Sequence, residues 1–140
     1  MSFVLFFLIL VSLYVFAATV YANAGKAITT NRIKGSGTEP NYVAWGTGAG
    51  TSDPTDTTLF TEASETRVAG TSTQQTTTVT DDTYQVVGTL TCAGSGKTIT
   101  NAGLFDQQAV GGNMLMKSDF TGVALAVGES IQFTMKVAFS

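Results

Sequence analysis

At 140 residues the chain is long enough for one domain with a core of ordinary size and too short for two domains plus linkers. Only 12% of residues are charged, the net charge is −3, and the seven Lys and Arg are scattered apart from Lys26, Arg32 and Lys34, so no basic strip exists and nucleic acid is a poor partner. Histidine is absent and Cys92 is the single cysteine, which excludes the usual general base, Ser–His and Cys–His nucleophiles, intrachain disulfides and thiolate zinc sites.

Residues 1–25 carry no charge, and the run FVLFFLILVSLYVFAATVYA at residues 3–22 predicts a hydrophobic helix of bilayer-spanning length. Three uses of it compete. As a secretory signal peptide, residues 3–13 are its apolar region, Ala22, Asn23 and Ala24 its small-residue cleavage motif, and Gly25 the start of the mature chain, although no positive charge precedes the run. As a retained membrane anchor it is followed by Lys26, Arg32 and Lys34, which would put the rest of the chain on the cytoplasmic side. As a helix buried among copies of itself it would resemble the filament core of pilin-like subunits, without the early acidic residue those carry. The signal and anchor readings rank above the filament core, and a misassigned start is a fourth reading. Any membrane contact is expected through residues 3–22.

Residues 26–41 read as a linker, closing on the Gly, Ser and Pro segment GSGTEPN. A domain over residues 42–140 follows. Tyr42–Gly46 is a short apolar run, residues 47–58 form a long loop with a turn at Asp53-Pro54, and Leu59 and Phe60 re-enter the core. Residues 61–67 have the composition for one helical turn and no more. The period then becomes two: strands over residues 73–80 and 83–93 meet at an Asp81-Asp82 hairpin turn. Gly94, Ser95 and Gly96 turn the chain into a strand at Lys97–Phe105, a connection covers residues 106–113, and a strand covers residues 114–120. Residues 123–129 lead to the last strand at residues 130–140, where Ile131, Phe133, Met135, Val137 and Phe139 alternate with polar or small residues. Cys92 shares the parity of Tyr84, Val86 and Leu90 and is expected to be a small buried hydrophobe. The expected fold is all-β, an antiparallel β-sandwich of jelly-roll or Ig-like type, preceded by an N-terminal hydrophobic helix. Its core should hold Trp45, Tyr84, Leu104, Phe105, Phe133 and Phe139. Thr76, Thr77 and Thr78 should offer a hydroxylated face to water or to a partner's sheet.

Chemistry is scarce. The acidic pairs are Asp53 and Asp56, Glu62 and Glu65, and Asp81 and Asp82; none is placed like the two facing carboxyls of a glycosidase. They read instead as a turn former, a solvated face and hairpin residues. No EF-hand or repeated Gly-Asp motif supports calcium. The glycine loop GTGAG at residues 46–50 lacks a following helix, and GSGKT at residues 94–98 leads into a strand, so neither is a phosphate loop and Lys97 reads as a surface residue beside a turn. No catalytic, cofactor-binding or metal-binding residue is assigned, no cofactor is expected, and the chain does not read as an enzyme.

The blocks NRIKGSGTEPNYVAWGTGAGT, DTTLFTE, TTTVTDDTYQVVGTLT, ITNAGLFD, GNMLMKSDFTGVAL and GESIQFTMKV stand in an order that resembles a group of small β-rich virion proteins of tailed bacteriophages. The likeness runs from about Asn31 onward, and YVAWGTG, TYQVVGT and NAGLFD are its most specific parts. It implies a non-enzymatic structural subunit on the virion surface that associates with copies of itself and with capsid or tail proteins, as a capsid decoration or as a tail or fibre component. The apolar front end departs from the pattern, because phage particle proteins assemble in the host cytoplasm and rarely begin with such a span. A secreted or membrane-anchored surface or filament subunit is the alternative. A carbohydrate-binding module, suggested by Trp45, Tyr42 and the long loops, is a third.

Overall fold

The computed structural model describes residues 18–139. It contains eight strands and one helix: β1 (Ala18–Tyr21), α1 (Asn23–Ile33), β2 (Tyr42–Gly46), β3 (Val68–Ala69), β4 (Thr71–Gln75), β5 (Thr83–Thr91), β6 (Lys97–Phe105), β7 (Met114–Leu125) and β8 (Ser130–Ala138). The strands make a five-stranded sheet in the order β1-β7-β6-β2-β3 and a three-stranded sheet in the order β4-β5-β8. All pairings are antiparallel. The expected antiparallel sandwich is present.

Alternation explains why the sheets stack. In β2, Val43 and Trp45 point between the sheets while Ala44 points away, and β5 sends Val86 and Leu90 into the same interior. Trp45 meets Phe133 of β8 edge to face, with centroids 6.4 Å apart and planes at 82°, the arrangement that the aromatic quadrupole favours. Cys92 is buried in this interior, as its parity requires. The outer face of the five-stranded sheet is also covered: Ala44, Phe105 and Met114 pack with Leu59, brought over them by residues 47–61.

Several expectations change; β7, for one, runs on to Leu125, past the strand end expected at Phe120. Residues 18–21, placed in an apolar helix, form β1, because their Thr, Val and Tyr pair with the first half of β7, Ala18 opposite Asp119 and Tyr21 opposite Met116. The remainder of the expected helix, residues 1–17, lies outside the described residues. The stretch read as a linker from residue 26 contains most of α1. This helix has no long apolar stripe; it is held at Ala22, whose N–H donates to Leu115 O at 3.0 Å, and through buried Gly25 and Ile28. It stops at Gly35, whose φ of 86° only glycine adopts without strain. The strand read over residues 73–80 is β4, over before Thr76, since the Asp82 carboxylate captures the N–H groups of Thr77, Thr78 and Val79 at 2.8 Å each and withdraws them from the ladder. Finally, Phe139 is not in the core but 57% exposed, while Phe133 and Tyr84 are half-buried.

Among the described residues no helix is long and apolar enough to cross a membrane.

Candidate functional site

Five of the six acids in the pairs singled out in the sequence hold loops; Asp81 is exposed. Asp53 accepts the N–H and hydroxyl of Thr55 at 2.8 and 2.6 Å, and these bonds lower its carboxyl below the usual range. Burial pushes Asp56 up, but the Asp53 N–H at 3.0 Å and Lys117 Nζ at 2.9 Å outweigh it and leave Asp56 below its ordinary value. Glu62 holds Arg67 through two bonds of 2.7 and 2.9 Å, and the guanidinium lies 3.5 Å above the centre of the Phe105 ring. Glu65 accepts from Lys97, from the Ala93 N–H at 3.0 Å and from Trp45 Nε1 at 3.1 Å. Burial raises its pKa, yet those donors win and hold it at about 2. Asp82 sits far below the ordinary carboxylate value because Val79, Thr77 and Thr78 donate to it.

This geometry corrects three sequence readings. Glu62 and Glu65 are not a solvated face, and Lys97 is not a free surface residue, for the Lys97–Glu65 pair leaves 15% and 9% of the two side chains exposed. Trp45 is buried and so offers no platform for a sugar ring. The glycines of GTGAG are explained by packing: a Cβ at Gly46 or Gly48 would strike the Phe60 backbone, and one at Gly50 would enter the Phe60 ring. Lys117, which no sequence motif marked, is fully buried between Asp56, Thr58 O at 3.0 Å and the Phe60 ring, whose centre is 3.1 Å from Nζ. Three of the seven cations are thereby consumed in ion pairs. Among the described residues no cluster of three or more His, Cys, Asp or Glu side chains is gathered to hold a metal ion.

The surface feature left open is apolar. β8 is the outer strand of its sheet, and of its inward row only Met135 is buried; Ile131, Phe133 and Val137 are half-covered. Across the interior, Phe120 and Leu125 of β7 are half-covered too, and Phe120 touches Phe133 with ring centres 6.3 Å apart. The three-stranded sheet is thus too narrow to roof the β7 side of its partner. At the β8 C-terminal end the gap widens into a groove of about 420 Å³ between α1, β1 and β8. Tyr21, Ile28, Ile33, Leu115, Val137 and Phe139 supply its apolar lining, and Arg32 and Glu39 stand at its edge. Two tyrosines brace it: Tyr21 Oη donates to Gly25 O at 2.8 Å, and Tyr84 Oη lies 3.2 Å from a Glu39 carboxylate oxygen and 3.1 Å from Pro40 O. Burial, with Glu39 beside it, raises the Tyr84 pKa well above the usual phenol value. Such an arrangement can bind apolar surface or an extra strand. Comparison of the chain with protein-family models, with curated proteins and with solved structures gives no match.

Proposed function

We propose that this chain is a non-enzymatic structural subunit that associates with copies of itself and decorates or extends a bacteriophage capsid or tail, lying at the virion surface. The observation that carries the proposal is the half-covered apolar row along β8, because a sandwich whose closing strand leaves Ile131, Phe133, Val137 and Phe139 incompletely buried gains most when a neighbour covers them. The order of the sequence blocks from YVAWGTG to GESIQFTMKV supports the phage assignment. The neighbours β1 beside β7 and β5 beside β8, far apart in the chain, support a sandwich of the jelly-roll or Ig-like kind.

The alternative is a pilin-like filament subunit with the sandwich as its outer domain, and the uncharged run at residues 3–17 favours it. Cleavage after Ala24 is disfavoured, since it would remove β1 and the first residues of α1.

Gradient-purified particles from the phage-bearing host provide the test. The chain should sediment with intact particles and be reachable there by antibody; a chain missing from particles and recovered as an inert monomer overturns the proposal.

A further inference from the structure

We infer that the groove between α1, β1 and β8 receives the apolar segment at residues 3–17 of a neighbouring copy, so that subunits join head to tail. The inference rests on the assembly reading above and names the contact that would make the assembly.

The segment and the groove match in chemistry. Residues 3–17 are uncharged and, apart from Ser12 and the Tyr14 hydroxyl, apolar, a run that must be buried somewhere. The groove offers Tyr21, Ile28, Leu115, Val137 and Phe139, and next to it the outer edge of β8 presents a row of backbone groups that no strand of the described residues pairs. An extended apolar segment laid there gains main-chain hydrogen bonds from β8 and side-chain burial from the groove.

Direction decides whose segment it is. β1 runs from Ala18, opposite Asp119, to Tyr21, opposite Met116, and the groove lies at the Tyr21 end beside Leu115. The chain therefore enters β1 from the end remote from the groove. Returning to its own groove would require a reversal, and residues 3–17 contain no Gly, Pro, Asn or Asp to make one. The segment is therefore placed in the groove of another copy. Because donor and acceptor are different surfaces, the contact repeats without self-complementarity and builds a ring or an open array.

Disulfide trapping in the full chain tests this. Val11→Cys is made in one chain and Ile33→Cys, at an 82% exposed position on the groove, in another, with Val110→Cys, also 82% exposed but remote, as the control acceptor. Cys92 is buried and does not compete. Mixed chains should form the 11–33 disulfide between different molecules, with a yield at least about tenfold above that with position 110, a ratio corresponding to a real preference in contact. Phe139→Asp, at an exposed position where folding is not at stake, should lower the 11–33 yield by a similar factor. A disulfide that closes within a doubly substituted chain at a rate independent of concentration overturns the inference, as does equal yield at positions 33 and 110, or mature protein that begins at Gly25. If the chain sediments with particles yet gives no 11–33 disulfide, the groove assignment falls and the particle role stands. If the disulfide forms and the chain is absent from particles, the contact stands and the particle role falls.

Discussion

Lys117 and Glu65 carry most of what individual side chains contribute beyond apolar packing. Lys117 is fully buried, so removing its counter-charge strands a cation in a poor solvent, whereas replacing the cation leaves Asp56 with the Asp53 N–H and some water. Asp56→Ala should therefore cost about 3–5 kcal/mol in urea unfolding, and Lys117→Met markedly less, despite breaking the same pair. For Glu65 the folded value of about 2 lies below an ordinary value of 4.5, so its stabilisation is complete above pH 4.5 and is lost as pH falls through 2. The corresponding ceiling is about 3 kcal/mol. Urea midpoints measured between pH 6 and pH 2 should fall more steeply in the native chain than in Glu65→Gln, which starts lower and lacks this contribution. The sequence displayed both acids but not their partners. Asp53 was readable as a turn former because it precedes Pro54; Glu65 was not readable, because Lys97 and Ala93 reach it only after the β5–β6 turn folds back.

Strand signals of period two survived folding well, and the departures come from contacts that periodicity does not encode. β6 has the bounds that the sequence predicts, and β2 coincides with the short apolar run Tyr42–Gly46, a continuous run that fits a strand covered on both faces. β4 stopped short because one carboxylate, Asp82, gathers three N–H groups. Asp82→Ala should leave β5 intact and make the amides of Thr77, Thr78 and Val79 exchange with solvent much faster, as hydrogen exchange by NMR would show. α1 was hidden inside an expected linker, as its docking depends on Ala22, Gly25 and Ile28 rather than on a long apolar stripe. A Cβ at Gly25 would run into Leu115 O, so Gly25→Ala should destabilise the chain by about 1–3 kcal/mol, seen as a lower thermal or urea midpoint. The stop at Gly35 was the one helix signal the sequence carried there, and it stood in a Gly- and Ser-rich stretch that reads equally well as loop.

Two sheets of unequal width give the domain its character. Among the described residues five strands face three, the β7 side of the wider sheet is incompletely roofed, and the apolar row of β8 is left half-covered beside a groove. The alternation in SIQFTMKVAFS pointed to a buried row; how much of that row the chain itself can bury depends on the width of the opposing sheet, which no local pattern reports. Under the proposed role, a neighbouring copy would cover this unfinished surface. Sedimentation velocity of the full chain over a wide concentration range tests this most directly. The account predicts species heavier than the monomer that grow with concentration and dissociate on Phe139→Asp; a single monomeric boundary at every concentration would contradict it.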